Sequence, residues 1–217
     1  MIFSIEGNIG SGKSTIVKHL QHMMQDGQSF VFVQEPVDTW EEIKDEEGVS
    51  ILANFYKSQK KFAFPFQMMA YISRLALIRK VIRENPGKHI ICERSVYTDR
   101  NVFAKMLRED GKITQINYTI YNMWFNEFLE DVKIDNYIYI KASPIVCCNR
   151  INNRNRTGEE GIPVEYLQRC GMAHDEWLLN NNNNLVLDVN QNVEENPQIL
   201  QRWMQEIKTY IEKKLVS

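Results

Sequence analysis

Met1-Ile-Phe-Ser-Ile-Glu-Gly-Asn-Ile-Gly-Ser-Gly-Lys-Ser-Thr15 opens the chain, and the fold turns on the contrast between its two halves. Ile2, Phe3 and Ile5 are residue types favoured in strands. Gly7, Gly10 and Gly12 then let the backbone curl through conformations that side-chained residues avoid, turning successive N–H groups toward one anion. Lys13 and Ser14 open a helix whose N-terminal dipole favours phosphate. Gly7 to Ser14 therefore fits G-x-x-x-x-G-K-[ST] with strand, loop and helix in the required order. The pattern assigns Gly7, Asn8, Ile9, Gly10, Ser11, Gly12, Lys13, Ser14 and Thr15 to the phosphates of a nucleotide, with Lys13 on the terminal groups and the Ser14 hydroxyl on Mg²⁺. By itself it does not separate a kinase from a GTPase or a motor.

The bulk properties narrow the field. A chain of 217 residues that is 43% apolar can bury one ordinary core, so a single domain spanning 1–217 is expected. A net charge of −2 argues against a broadly basic nucleic-acid surface and for a small-molecule enzyme. The cysteines at 92, 147, 148 and 170 form no C-x-x-C pair, and adjacent Cys147 and Cys148 suit a disulfide poorly. Reduced thiols in a cytoplasmic protein are expected. The four histidines have no metal-ligand spacing. With a strand beginning at residue 2 and no apolar run of about 18 residues, neither a leader peptide nor a membrane span is expected.

Along the chain, Thr15 to Met24 has a helical apolar period closed by Gly27, and 29–34 reads as a strand covered on both faces. It ends at Glu35-Pro36. The proline keeps Glu35 extended, so its carboxylate projects from the carboxyl end of a strand, where open α/β sheets bind ligands. The acidic stretch 41–48 reads as a loop or helix start, 50–62 as a helix, and 65–83 as a longer helix with Pro65 in its first turn. On that helix, at ~100° per residue, Gln67, Ala70 and Arg74 share one stripe, able to hydrogen-bond a planar group across the alanine. A short strand at 89–92 runs into the charged segment Glu93-Arg-Ser-Val-Tyr-Thr-Asp-Arg100. Residues 116–131 form an aromatic helix and 137–141 a strand. Pro144 starts a helix that carries Arg150, Arg154 and Arg156 ahead of a glycine-containing loop, a candidate lid spanning about 150–163. A helix at 164–179, a strand at 185–189 and a terminal helix striped by Ile199, Trp203, Ile207, Ile211 and Leu215 complete the pattern. Five strands alternating with helices predict an α/β fold, a five-stranded parallel sheet with helices on both faces.

Taken together, GNIGSGKST (7–15), EPVDTW (35–40), FYKSQKKFAFPFQ (55–67), ERSVYTDR (93–100), RINNRNRTGEEGIP (150–163), HDEWLL (174–179) and LVLDVN (185–190) resemble the deoxynucleoside kinases of the deoxycytidine, deoxyguanosine and deoxyadenosine kinase type. The resemblance covers nearly the whole chain and implies the P-loop kinase fold. It implies that Glu35 is the general base on the deoxyribose 5′-hydroxyl. Glu93 would hold Mg²⁺ beside Ser14, where most P-loop enzymes use an aspartate, and Arg94 would contact the 5′-oxygen and the transferring phosphate. It implies that Gln67, Arg74 and Asp99 read the base between Trp40, Phe66 and Phe103, that Tyr56 and Glu159 read the sugar 3′-hydroxyl, and that Ile9 touches the nucleoside. Arg150, Arg154 and Arg156 would act on the phosphates, and Asp188, Val189 and Asn190 would lie beside adenine. Gly158 stands where relatives often carry an acid.

The resulting expectation is a cytoplasmic, homodimeric enzyme that transfers the ATP γ-phosphate to the 5′-hydroxyl of deoxyadenosine, deoxyguanosine or deoxycytidine in preference to thymidine, with Mg²⁺ as cofactor. Lys13, Glu35, Arg94, Arg150 and Arg154 are its expected catalytic residues. The dimer is expected through the aromatic helix. A nucleoside monophosphate kinase is the nearest alternative, and a GTPase switch or nucleic-acid motor a more distant one. The absence of an N-K-x-D motif and of a basic tract weighs against the latter.

Overall fold

The protein is described by a computed structural model covering residues 1–24, 29–154, 156, 158, 159, 161–193 and 195–216. The apolar segments pair as strands β1 (Ile2–Glu6), β2 (Phe30–Val33), β3 (His89–Glu93), β4 (Asn136–Lys141) and β5 (Leu185–Asp188). They form one parallel sheet in the order β2-β3-β1-β4-β5. Parallel neighbours need long crossovers, and the helices supply them.

Alternation along the strands divides the core. Phe3 and Ile5 of β1, Ile91 of β3 and Ile138 and Ile140 of β4 share a buried cluster with α1 (Lys13–Met23) and α10 (Pro197–Leu215). On the other face Ile90 and Cys92 meet Leu77 and Val81 of α4 (Gln59–Glu84). There too α9 (Val164–Leu178) sets Trp177 against Tyr137 and His174 flat on Tyr139. The expected stripe of α10 is buried at Ile199, Trp203, Ile207 and Ile211.

The structure corrects several boundaries. β2 is an edge strand, and Phe30, Val31 and Phe32 are only half-buried, because an edge pairs on one side alone. Helix α2 (Val37–Glu42) begins directly after Pro36 and ends where the acidic loop or helix start was expected. The 50–62 helix is broken at Ser58 into α3 (Ile51–Lys57) and the start of α4. Ser50 caps α3 by accepting from the Ala53 N–H. Pro65 thus lies inside α4 rather than in its first turn, at the cost of one ladder donor. After Glu93, α5 (Val96–Thr98) widens into a π-helical turn, Asp99–Ala104, and continues as α6 (Lys105–Glu109). The aromatic segment is α7 (Gln115–Glu127) followed by a 3₁₀ turn, Leu129–Val132. The lid begins on α8 (Pro144–Arg154); its residues 155, 157 and 160, like Gly27, lie outside the described residues.

No helix among the described residues is long and apolar enough to cross a membrane, and the four cysteines are free thiols. The chain leaves β1 for β2 and β3 on one side and reaches β4 and β5 on the other. The carboxyl end of β1 is therefore the switch point at which such sheets bind ligands.

Candidate active site

The loop after β1 has no room for side chains at two of its glycines. A Cβ on Gly7 would meet the Ile140 carbonyl oxygen at 2.4 Å, and one on Gly10 the Cys147 carbonyl oxygen at 2.5 Å, with both residues at positive φ. Asn8 ties the loop to α9, its Nδ2 donating to the Leu167 carbonyl at 2.7 Å, while its own Oδ1 accepts from the Ile9 N–H at 2.8 Å. Lys13 Nζ donates to the Asn8 carbonyl at 2.7 Å, which folds the lysine over the loop. Burial, then the nearby Arg94 charge, lowers the Lys13 amine to about 8. Ser14 Oγ donates to Glu93 Oε1 at 2.6 Å. This joins the start of α1 to the end of β3 through two hard oxygen ligands of the kind a divalent cation takes.

Opposite the loop stands a buried charge cluster. Arg74 on α4 donates from Nε and Nη2 to the two oxygens of Asp99, at 2.9 and 3.3 Å, and from Nη2 to Glu35 Oε1 at 2.7 Å. Arg94 Nε is 3.4 Å from the same Glu35 oxygen. Burial alone would raise the Glu35 carboxyl, but Arg74, Arg94 and Lys13 outweigh it and hold the group down at about 2. Burial pushes the Asp99 carboxyl up against the pull of Arg74. Arg94 has φ 63, the left-handed backbone that β-carbons disfavour. Its Nη1 is buried without a protein partner.

The α4 stripe forms the floor of an aromatic slot. Gln67, Ala70 and Arg74 are all buried, and Gln67 Oε1 has no protein partner. Trp40 of α2 and Phe66 of α4 meet edge to face at 5.7 Å, and Phe55 stacks on Phe66 at 4.6 Å. Trp40 is held by its indole N–H, which donates to Ser73 Oγ at 2.8 Å. Phe103, on the π-helical turn, lies 5.1 Å from the Arg94 guanidinium. Burial, then Glu159, raises the Tyr56 hydroxyl, which is neutral.

The arginines of the lid differ from one another. Arg150 donates from Nη1 to the Ser11 carbonyl at 3.0 Å and from Nη2 to the carbonyls of Val189 at 2.7 Å and Gln191 at 3.2 Å. It joins the phosphate loop to the segment after β5. Arg154 and Arg156 both pair with Glu159. Asp188 is exposed and accepts from the N–H and the side chain of Asn190.

Most of these groups face one cleft of about 920 Å³. Every site residue expected from sequence lines it except Gly7, Asn8 and Asp188. Gly7 packs against Ile140 and Asn8 bonds to Leu167 on the far side of the loop, and Asp188 is exposed beside Asn190. Sequence reasoning missed Phe55, Ser73, Tyr166 and Glu6. The first and third offered only the ambiguous signal of an aromatic at a helical position. Glu6 offered one of its own, a carboxylate closing a strand that is apolar at Ile2, Phe3 and Ile5.

A glycine loop carrying a buried lysine, a serine–carboxylate pair and an acid between two arginines define a P-loop enzyme of phosphoryl transfer. The chain's residues 3–212 match the family model described as deoxynucleoside kinase. It is 36% identical to bovine deoxycytidine kinase and 35% to the human enzyme, each over 81% of this chain and 74% of the relative. It is also 31% identical to the mitochondrial deoxyguanosine kinase of Xenopus laevis, over 81% of this chain and 72% of the relative. The chain belongs to the deoxynucleoside kinase family, whose members are ATP-dependent kinases.

Proposed function

We propose that the enzyme phosphorylates deoxycytidine, deoxyadenosine and deoxyguanosine at the 5′-hydroxyl, with thymidine a poorer acceptor. The observation that carries this reading is the placement of Glu35 and Arg94 across one cleft from Lys13 and Ser14, with the Gln67–Arg74 stripe beyond them. Cytosine and adenine offer an amino donor that suits the Asp99 carboxylate, and guanine offers an acceptor that suits Arg74. Thymine offers Arg74 an acceptor at O4 as guanine does, but it has no amino group for Asp99 and adds a methyl, on which its poorer use rests. Tyr56 and Glu159 are the proposed contacts to the sugar 3′-hydroxyl.

In the proposed mechanism Glu35 aligns the 5′-hydroxyl and takes its proton late, since a carboxylate held near 2 is a weak base. A loose transition state asks little of the base and much of positioning and charge. Arg94, Lys13 and the lid arginines Arg154 and Arg156 supply that charge, while Arg150 fixes the donor segment of Val189 and Asn190. The Ser14 and Glu93 oxygens fit Mg²⁺, which usually takes one or two carboxylates alongside substrate phosphates. Bound there, the ion would neutralise charge on the donor phosphates.

We further propose a homodimer. Ile116, Ile120, Met123 and Trp124 line the outward side of α7 at helical spacing, with Ile72 exposed on neighbouring α4. A cytoplasmic location suits the four free thiols.

Steady-state rates with the four natural deoxynucleosides and their 5′-monophosphates at matched ATP test the acceptor assignment. Turnover of the cytosine and purine nucleosides ahead of thymidine is expected. Phosphorylation of the monophosphates alone would replace this reading with that of a nucleoside monophosphate kinase.

A further inference from the structure

Glu6, the last residue of β1, is fully buried and lies outside the cleft wall, yet four hydrogen bonds converge on its carboxylate. Oε1 accepts from Ser4 Oγ at 2.6 Å, from the Ser95 backbone N–H at 3.0 Å and from Ser95 Oγ at 2.6 Å. Oε2 accepts from Thr98 Oγ1. Hydrogen bonds to a carboxylate are stronger than those between neutral groups, and three of these four come from the segment that follows β3.

Their location gives them a role. Arg94, immediately before Ser95, is the only residue other than glycine at positive φ among the described residues. Such a backbone is strained for a residue with a β-carbon and persists only where its surroundings over-determine it. The restraints are visible on both sides of the residue. Arg94 N–H donates to the Ile5 carbonyl at 3.0 Å, and the next residue is held to Glu6 by both its backbone and its side chain. Turned back to an ordinary φ, Arg94 would no longer aim its guanidinium at Glu35 and the cleft. We propose that Glu6 is a positioning residue for phosphoryl transfer: its carboxylate locks the turn at Ser95 and so holds Arg94 in its working orientation. Glu6 is also the residue before Gly7, so one side chain references the catalytic arginine to the strand that carries the phosphate loop.

The inference rests on the reading that Arg94 acts in the reaction, and a double-mutant cycle separates the two. Glu6→Gln keeps the side-chain shape but replaces one accepting oxygen with a donating amide. Turnover should fall by about 10²-fold, as a misplacement of order 1 Å does, while both KM values change by less than about threefold, because the lost contact belongs to the transition state. Arg94→Lys should itself be slow, and adding Glu6→Gln to it should cost little more. Rates are taken well below each variant's melting temperature, so that lost stability alone leaves kcat unmoved. Parent-like turnover of Glu6→Gln beside a slow Arg94→Lys would overturn the role of Glu6, as would effects that multiply in the double variant. Parent-like turnover of Arg94→Lys would overturn the reading of Arg94 instead. Should Glu6→Gln fail to fold, Thr98→Val removes one donor, leaves the carboxylate in place and enters the same cycle, with a smaller drop expected and the same outcomes deciding.

Discussion

Glu35 sits where burial favours the neutral acid and three cations favour the carboxylate, and the cations prevail. Across the working pH range it is therefore ionised, and an acid limb of kcat from this group is expected far below the ordinary carboxylate value of 4.5. Replacing Glu35 by Gln should lower kcat by about 10²-fold, the low end for a positioned base because a loose transition state asks little of it, with acceptor affinity by calorimetry largely retained. Unchanged kcat would remove Glu35 from the reaction. Glu35 was legible in the sequence because its signal is local: a strand end followed by Pro36. Glu6 was not, because Ser95 and Thr98 are 89 and 92 positions away, and only the pairing of β1 with β3 brings them together. Ser73 was hidden for the same reason; its partner Trp40 is 33 positions distant.

Helix α4 lines the cleft with Phe66, Gln67, Ala70 and Arg74, and its buried cation sets what it tolerates. Arg74 neutralises Asp99 and Glu35 together. Arg74→Met should destabilise the protein by about 3–5 kcal/mol in urea unfolding, since it strands buried charge. Adding Asp99→Asn should recover part of that loss; no recovery would show that the two groups do not offset one another. The stripe of Gln67, Ala70 and Arg74 was readable because a 3.6-residue period places them on one face whatever the flanks do. The helix start was not, because Ser58 breaks the chain at a point where apolar periodicity continues on both sides and Pro65 mimics a first turn. The lid offers a second constraint at this scale. A Cβ on Gly158 would meet Ala53 Cα at 3.0 Å at a φ of +87. Gly158→Ala should therefore hold the lid off α3 and raise the acceptor KM; an unaltered KM would show that this contact is not made during turnover.

Across the whole molecule the parallel sheet was legible from alternation of elements, and its five strands were all expected. The order β2-β3-β1-β4-β5 is not written in that alternation, since crossovers of similar length can place a strand on either side. Packing on the sheet has its own consequence for stability. His174, buried against Tyr139, has its imidazole lowered to about 3 by burial and then by Arg94. Its folded value lies below the ordinary 6.5, so below pH 6.5 the unfolded chain binds the extra proton. The stability this neutral group contributes is fully present above that pH and is lost as pH falls toward 3. From this residue a slope rising from about 0.7 kcal/mol per pH unit at pH 6.5 to about 1.4 near pH 5 is expected. Urea titrations of parent and His174→Gln between pH 6.5 and 5 test it; equal slopes would assign the acid sensitivity elsewhere. Sedimentation of Trp124→Glu, expected to be monomeric, tests the proposed dimer face on α7.

The clamp made by Arg150 bears on how the enzyme can change over evolutionary time. All three of its hydrogen bonds end on backbone carbonyls, those of Ser11, Val189 and Gln191. The side chain of Gln191 can therefore be exchanged without loosening the joint between this segment and the phosphate loop, whereas that of Asn190 cannot, because its Oδ1 accepts from the Ser143 N–H at 2.7 Å. A sequence that varies at Gln191 keeps the joint, because what the guanidinium recognises is the main chain and not the side chains it carries.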